Sequence, residues 1–219
     1  MAIVFPPVHQ ADLDGLLAIG GDLSVETLKT AYKSGIFPWP ARPDYPMIWF
    51  APNPRGILDF KDLKVNKTFK KFLKKTTYRI SFNQDFEKII LECAKTFRKN
   101  EVGTWIHTSI IDSYTELFNK QLAYCVGTYE DDKLVGGLYG VCIGEIISGE
   151  SMFHKKPNAS KFALYNLVKR LEKNGINFID TQMVTDVIAS FGGKSISRTE
   201  FMQRLSHLNT KLSRDELFI

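Results

Sequence analysis

Hydrophobic and polar positions follow one pattern before about residue 60 and a different pattern after it. In the first part, aromatic and proline residues are crowded together, and eight of the nine prolines occur there. Such segments are typical of loops and short strands. In the second part, apolar residues recur at helical spacing or run continuously, as they do in buried strands. We therefore expect a small N-terminal domain over residues 1–60 and a larger domain over residues 61–219.

Polar capping residues predict where the helices begin. Ser24 can accept a hydrogen bond from the first turn of a helix over Val25–Lys33, and Gly35 is placed to end that helix. Ser197 and Glu200 have the spacing of a capping box for a late helix. Three further helices are predicted to begin at Asn83, Thr108 and Asn158.

The strand pattern indicates the fold class. The predicted strands are Tyr78–Phe82, Ala123–Tyr129, Leu134–Val141, Glu145–Ser148 and Asn177–Met183. The middle three form an antiparallel run, and a helix, a strand and another helix follow them. This order predicts an α+β fold, in which the small N-terminal domain precedes an acetyltransferase-like (GNAT-like) mixed α/β C-terminal domain.

The composition excludes several classes of protein. Hydrophobic residues make up 44% and charged residues 24% of the chain, which is typical of a globular protein. The sequence has no apolar run near the ~20 residues that cross a bilayer, and its N-terminus lacks the regions of a signal peptide. The three cysteines are too widely spaced for a disulfide framework or a zinc motif. We expect a cytoplasmic protein with reduced thiols.

The positive charge of the chain lies in one segment. The net charge is +5, and residues 61–79 hold eight basic residues against the single acid Asp62. A local excess of this kind indicates an anionic partner, for which the phosphates of a nucleic acid are the obvious candidate. Phe69 and Phe72 are interleaved with the lysines, so an amphipathic helix with a solvated basic face explains the pattern equally well. The charge pattern alone leaves both interpretations open.

Several common chemistries do not fit the sequence. Gly193-Lys194-Ser195 lacks the first glycine of a P-loop, and Gly149–Phe153 lacks the second glycine of a nucleophile elbow. The four histidines are too scattered for a metal motif. The segment His154–Ala159 has no glycine-rich loop to hold the pyrophosphate of coenzyme A. We therefore expect no metal and no cofactor, and an acyl donor other than coenzyme A if the fold is of the acetyltransferase type.

Two polar clusters stand out within apolar surroundings. Asp180 and Gln182 are two residues apart on a predicted strand, which places them on the same face. Glu150 belongs to the cluster Gly149–Phe153, which lies just after another predicted strand. Burial of a carboxylate without a partner is costly. These residues therefore form either a structural hydrogen-bond network or a catalytic group.

Eight segments, spread in order over nearly the whole chain, carry a resemblance to a known family. They are GLLAIGGDLS at 15–24, GIFPW at 35–39, IWFAPNPR at 48–55, GTWI at 103–106, LVGGLYGV at 134–141, GESMF at 149–153, NASK at 158–161 and IDTQ at 179–182. Together they resemble the bacterial leucyl/phenylalanyl-tRNA–protein transferases.

The resemblance implies an enzyme of the N-degron pathway. Such an enzyme takes Leu or Phe, and Met less efficiently, from an aminoacyl-tRNA and joins it to the N-terminal Arg or Lys of a protein. The ester on the tRNA would be the donor that replaces coenzyme A. A tRNA-binding or RNA-binding module without catalysis is the alternative, and it would not need the pair of Asp180 and Gln182. A coenzyme A acetyltransferase is disfavoured by the missing phosphate loop.

The resemblance also implies roles for individual residues. Trp49 and Trp105 are similar to the family's adenosine contacts, and stacking on an aromatic ring is worth ~1–3 kcal/mol per base. Asp180 would orient Gln182 and polarise the attacking amine, and Glu150 would contact the donor's α-amine or the cationic acceptor. Either Asp180 or the 2′ hydroxyl of the tRNA would take the proton.

Two larger sets complete the expected site. The apolar pocket for the Leu or Phe side chain would be formed by Leu138, Met152, Leu164, Leu167, Leu171 and Ile179. The acceptor-stem phosphates would meet Lys64, Lys67, Lys70, Lys71, Lys74, Lys75 and Arg79. The sequence does not indicate the protein targets, the preference between Leu and Phe, the acidic site for the acceptor side chain or the oligomeric state.

Overall fold

The computed structural model describes residues 3–40, 45–96 and 104–218, and these residues form a mixed α+β structure with two sheets. The strands are β1 (Leu16–Ile19), β2 (Phe37–Pro38), β3 (Ile48–Phe50), β4 (Arg55–Asp59), β5 (Arg79–Phe82), β6 (Ala123–Glu130), β7 (Lys133–Ile143), β8 (Ile146–His154), β9 (Phe178–Gln182) and β10 (Lys194–Ile196). The helices are α1 (Val25–Lys33), α2 (Lys67–Lys75), α3 (Phe86–Ala94), α4 (Thr108–Asn119), α5 (Ala159–Lys173), α6 (Asp186–Ser190), α7 (Arg198–Ser206) and α8 (Arg214–Phe218).

The N-terminal part contains a small antiparallel sheet and helix α1. The strand order of this sheet is β1-β3-β2. The helix has the predicted bounds, because the Ser24 side chain accepts a hydrogen bond from the Thr27 amide at its start. Gly35, at a φ of +73°, ends the helix in the left-handed region that favours glycine.

The large sheet has seven strands in the order β10-β4-β9-β8-β7-β6-β5. Its neighbouring strands are antiparallel except for β8 and β9, which run parallel with Ser148 opposite Asp180. A parallel pair needs a crossover connection, and α5 provides it. The junction therefore brings the residues after Ser148 close to the residues after Asp180.

The large sheet has a hydrophobic core on each face. One core contains side chains of α1, α3 and α4 together with Tyr139 of β7. The other contains side chains of α5 and α8 together with Leu138 of the same strand. Adjacent strand residues point to opposite faces, which explains how one strand serves both cores. The α+β class predicted from the sequence is confirmed.

The position of β4 bears on the predicted domain division. This strand falls inside the predicted first domain, 1–60, but it lies between β10 and β9 in the large sheet. Leu28 of α1 also shares a core with Ile110 of α4. The division at residue 60 stays a prediction.

Some predicted boundaries differ from the structure. Asn83 does not cap α3, which begins at Phe86 after Asp85. The Asn83 side chain instead accepts a hydrogen bond from the Cys125 amide, because β5 and β6 pair at this point. Strand β8 continues to His154, because its pairing with β7 extends over its full length. Glu150 therefore lies within a strand and not after one.

The other predicted caps are confirmed in part. Thr108 is the first residue of α4, and His107 occupies the capping position. Asn158 precedes α5, but its side chain makes no capping hydrogen bond. The Ser197 hydroxyl accepts from the Glu200 amide over 3.1 Å, as a capping box requires. The Glu200 carboxylate pairs with Arg204 instead of returning to the cap.

Candidate active site

A polar cluster occupies the junction of the parallel strands β8 and β9. The Gln182 side chain donates from Nε2 to Oε1 of Glu150 over 2.9 Å. The Ser148 hydroxyl donates to the same oxygen over 2.7 Å. The backbone amide of Gln182 donates to Oδ1 of Asp180 over 2.9 Å. The structure thus brings together the three predicted catalytic residues.

Arg55 is the partner of Asp180, a role that no motif in the sequence indicated. Its Nε donates to Oδ1 over 2.8 Å and its Nη2 donates to Oδ2 over 2.6 Å, so the pair is bidentate. Both side chains are buried, at 2% and 7% exposure. A buried carboxylate next to an apolar strand requires a cation of this kind. That requirement is the signal by which an arginine at the start of buried strand β4 could have been found.

Both carboxylate oxygens of Asp180 are therefore occupied by donors of the protein. Asp180 also lies outside the linings of both cavities described below. Its predicted role in orienting Gln182 fits this geometry, since it holds the Gln182 amide. A direct contact between Asp180 and a substrate amine does not fit it.

Gln182 has a strained backbone. Its φ of +61° lies in the left-handed region, which is uncommon for residues other than glycine and is often found at functional sites. On the neighbouring strand, a Cβ at Gly56 would lie 2.5 Å from the backbone carbon of Met183, so only glycine fits there. The hydrogen bond from Nε2 to Glu150 fixes the carboxamide, so that its oxygen Oε1 turns away from that carboxylate.

Two tyrosines lie behind Glu150. The hydroxyls of Tyr32 and Tyr114 are 2.5 Å apart and completely buried, and both interact with the Glu150 carboxyl. Burial raises the pKa of Glu150, although hydrogen bonds from Ser148, Tyr32 and Gln182 oppose this effect. Burial and the negative charge of Glu150 also raise the pKa of both tyrosines well above the usual value. Both hydroxyls therefore stay protonated.

An apolar cavity of about 200 Å³ opens beside this cluster. It is smaller than the roughly 300 Å³ of cavities that hold drug-sized ligands, so it suits a single side chain. The predicted pocket residues on its wall are Leu138, Met152, Leu164, Leu167 and Ile179. Leu171 is not on this wall. It is fully buried in the core one turn further along α5, because the apolar stripe of that helix extends beyond the cavity.

A second cavity of about 140 Å³ has aromatic walls. Phe37, Trp39 and the predicted Trp105 line it, together with Gln182. Trp49 does not line it. Trp49 is only 1% exposed, donates from its indole nitrogen to the Gly20 carbonyl and packs against Phe5. The structure therefore places Trp49 in the core, which corrects its predicted position beside an adenosine.

Trp39 is the aromatic residue that the sequence analysis missed. It lies directly after β2, and the pairing of β2 with β3 sets Pro38 opposite Trp49. The segment GIFPW contained the available signal, since it ends on a tryptophan within a motif of the resemblance. Gly103, in the motif that precedes Trp105, lies outside the described residues.

The two cavities share part of their walls. The residues that line both are Glu150, Thr181, Met183 and Thr185. A ligand with an apolar side chain at one end and a flat ring at the other would therefore cross this shared wall. Its central group would lie beside Glu150 and Gln182.

The predicted basic residues lie on and around α2, and all seven are exposed. Phe69 and Phe72 lie on the inner face of this helix, stacked with a centroid distance of 5.5 Å. Asn66 caps the helix by accepting from the Phe69 amide. Arg79 forms an ion pair with Asp132. The amphipathic packing and the solvated basic face are thus both present.

A third cavity, of about 700 Å³, lies at the opposite end of β9. Asp59 and Arg204 are on its wall, and the predicted catalytic, adenosine and pocket residues are not.

The part of the chain that the structure describes has no helix with the length and apolarity to cross a membrane. Among the same residues, no cluster of three metal-binding side chains occurs.

Comparisons with known proteins identify the family of the chain. A family profile described as leucyl/phenylalanyl-tRNA protein transferase matches residues 57–206, and the profile of the N-terminal domain of that family matches residues 21–53. The leucyl/phenylalanyl-tRNA–protein transferase of Flavobacterium johnsoniae is 43% identical over 203 residues, which cover 93% of this chain and 95% of the relative. That of Pseudoalteromonas atlantica is 46% identical over 201 residues, which cover 91% and 85%.

A solved structure gives a weaker match. A ribosomal-protein-alanine N-acetyltransferase from Brucella melitensis is 14% identical, with a TM-score of 0.30, over 44% of this chain and 74% of that one.

By its sequence relatives, the protein is an acyltransferase enzyme. The chain belongs to the leucyl/phenylalanyl-tRNA protein transferase family.

Proposed function

We propose that this protein transfers Leu or Phe, and Met less efficiently, from an aminoacyl-tRNA to the N-terminal Arg or Lys of acceptor proteins. The product would carry a destabilising N-terminus and be degraded through the N-degron pathway. The observation that supports this proposal most directly is that an apolar cavity and an aromatic cavity meet at Glu150, with Gln182 beside the junction. An aminoacyl-adenosine has this shape.

The proposal assigns each end of the donor to one cavity. The amino-acid side chain enters the apolar cavity between β8 and α5. The terminal adenine stacks on Trp39 and Trp105 in the aromatic cavity. The ester that joins them then lies along the shared wall, where Glu150 attracts the donor's α-ammonium group.

The proposed chemistry is aminolysis of the ester. The acceptor's neutral amine attacks the carbonyl carbon, a C–N bond forms, and the C–O bond to the tRNA 3′ oxygen breaks. The Gln182 oxygen Oε1 accepts a hydrogen bond from the amine and orients it. The proton passes to the departing 3′ oxygen through the neighbouring 2′ hydroxyl, because both oxygens of Asp180 already accept hydrogen bonds.

The tRNA body would contact the basic face of α2. Exposed lysines bind phosphates without reading sequence, which suits an enzyme that uses more than one tRNA. The proposed contacts are Lys64, Lys67, Lys70, Lys71, Lys74, Lys75 and Arg79. We also propose that the reaction takes place in the cytoplasm, because aminoacyl-tRNA is its substrate.

A transfer assay with two peptides tests the proposal. Purified protein is mixed with tRNA carrying labelled Phe, and with peptides that differ only in an N-terminal Arg or Ala. We expect label on the Arg peptide only, and a strong reduction in a Gln182→Met variant. Binding of the tRNA without transfer to either peptide would instead support a non-catalytic tRNA-binding module.

A further inference from the structure

We propose that Arg55 is a positioning residue, which fixes the Gln182 carboxamide and the aromatic wall relative to each other. This inference rests on the proposed function, because it concerns the same donor and the same reaction. Arg55 lines neither the apolar nor the aromatic cavity. It acts only through the groups that it holds.

The guanidinium of Arg55 contacts both halves of the site. Two of its nitrogens donate to Asp180, which in turn accepts a hydrogen bond from the backbone amide of Gln182. The third, Nη1, donates to the Gly35 carbonyl over 2.9 Å. Gly35 lies two residues before Phe37 in the segment that also carries Trp39, and both aromatic residues line the small cavity.

Aromatic rings hold the guanidinium in place. Its central carbon lies 4.8 Å from the ring centre of Phe37 and 4.5 Å from that of Phe201. Phe37 therefore contacts Arg55 and also lines the small cavity. A planar, always charged group suits this geometry, because it can stack and donate in three fixed directions. A lysine has neither the plane nor the fixed directions.

The strained backbone of Gln182 depends on the contacts that Arg55 maintains. The left-handed backbone of Gln182 persists only where its surroundings determine it, and the Asp180 carboxylate is the acceptor for its amide. With Arg55 replaced, Asp180 would lose its bidentate partner and turn. Gln182 would then move relative to the ester, and a shift of about 1 Å can lower a rate about 100-fold.

The chain offers a matched control on the same strand. At the other end of β4, Arg204 donates from Nη1 to Oδ1 of Asp59 over 2.6 Å. Asp59 is also buried, at 4% exposure, and the Arg204 guanidinium lies over the Phe178 ring. Asp59 also pairs with Lys194 over 2.7 Å. Neither Asp59 nor Arg204 lines the apolar or the aromatic cavity. We expect the loss of Arg204 to perturb the same sheet without moving Gln182.

The experiment compares Arg55→Lys with Arg204→Lys in the full chain. Thermal unfolding checks that both variants fold, and Phe-tRNA binding and single-turnover transfer to the Arg peptide are then measured. We expect Arg55→Lys to lower the transfer rate about 100-fold, with donor affinity reduced far less. We expect Arg204→Lys to keep the wild-type rate within about threefold. A Arg55→Lys variant that is folded and transfers at the rate of Arg204→Lys overturns the proposal.

A second readout does not depend on activity. Hydrogen exchange at the backbone amide of Gln182 is measured by NMR. It should accelerate in Arg55→Lys and stay unchanged in Arg204→Lys. Equal exchange in the two variants overturns the positioning role even if the wild type transfers nothing. If the wild type transfers nothing but the two variants differ in exchange as expected, the proposed function is overturned and the positioning role is kept.

Discussion

The side-chain amide of Gln182 donates to the Glu150 carboxylate over 2.9 Å, across the parallel junction of β8 and β9. This contact decides which end of the carboxamide faces the aromatic cavity. Because the nitrogen is engaged, the oxygen is left for the substrate. A Glu150→Gln change removes the charge and the fixed orientation, so we expect a loss of transfer of about 100-fold. Single-turnover transfer to the Arg peptide measures it, and an unchanged rate would contradict the account.

The transfer rate should also depend on the ionisation of Glu150. Because burial raises its pKa, we expect the rate to fall on acidification at a pH above the usual range of a glutamate. The folded chain then binds a proton where the unfolded chain has released it, so the contribution of Glu150 to stability grows as the pH falls through this window. A pH–rate profile recorded beside thermal unfolding checks both directions. The contrary result is a profile that shows only the titration of the acceptor amine, with no further fall above the usual range of a glutamate.

The tyrosines behind Glu150 should matter for both folding and rate. Tyr114→Phe leaves the buried Tyr32 hydroxyl without this partner, for a loss of about 1–3 kcal/mol in the free energy of unfolding. We also expect a slower transfer, since Glu150 loses a neighbour that orients it. Tyr129→Phe is the control, because the Tyr129 hydroxyl, on strand β6, donates to Asp85, which directly precedes α3. Equal effects of the two changes on the transfer rate would refute the role of Tyr114.

Variants of Leu167 and Leu171 distinguish a residue of the apolar cavity from a residue of the core. Leu167 lines the apolar cavity, so Leu167→Ala should enlarge it and shift the preference towards Phe over Leu. Leu171→Ala should cost about 2–5 kcal/mol of stability without changing that preference, because Leu171 lies only in the core. Competition between Leu-tRNA and Phe-tRNA gives the ratio. A shift caused by Leu171→Ala alone would place the pocket elsewhere.

Variants of Trp39 and Trp49 likewise distinguish a residue of the aromatic cavity from a residue of the core. Trp39→Leu should weaken binding of a phenylalanyl-adenosine amide by about 1–3 kcal/mol, the usual range for one lost stacking contact. Trp49→Phe should lower the unfolding temperature and leave the affinity unchanged, because Trp49 is a core residue. Calorimetric titration and thermal unfolding distinguish the two effects. The reverse pattern would restore the assignment made from the sequence.

The basic helix should control the salt dependence. Changing Lys70, Lys71 and Lys74 to Gln should lower tRNA affinity and flatten its dependence on salt, by about one unit of slope per lost phosphate contact. Lys120→Gln is the control, since that lysine is exposed directly after α4, away from α2 in the sequence. Filter binding at several salt concentrations gives the slopes. Identical slopes for the triple variant and the wild type would leave the helix as an amphipathic surface only.

Local sequence patterns predicted the features that depend on neighbouring residues. The cap at Ser24 determines the start of α1, and helical spacing brought Leu164 and Leu167 to one wall. The same spacing includes Leu171, because periodicity gives the face of a helix but not the length of a cavity. Trp49 lies on β3, and Trp39 lies directly after its partner strand β2. The sequence does not indicate which of the two rings is covered.

The features that the sequence did not predict depend on distant residues. The bond from Arg55 to Asp180 joins positions 125 residues apart, so only the folded sheet shows that they meet. That ion pair also bears on the proposed role of Asp180. The sequence left open whether Asp180 or the 2′ hydroxyl of the tRNA takes the proton. In the structure both of its oxygens already accept hydrogen bonds.

The central claim is that one aminoacyl-adenosine spans the two cavities and places its ester beside Gln182. The most direct measurement is a crystal structure of the protein with a non-hydrolysable phenylalanyl-adenosine amide. We expect the phenyl ring among Leu138, Leu164 and Leu167, and the adenine against Trp39 and Trp105. We expect the amide group within hydrogen-bond distance of the Gln182 side chain. A ligand bound in the cavity beside Asp59 and Arg204, or with its adenine against Trp49, would contradict it.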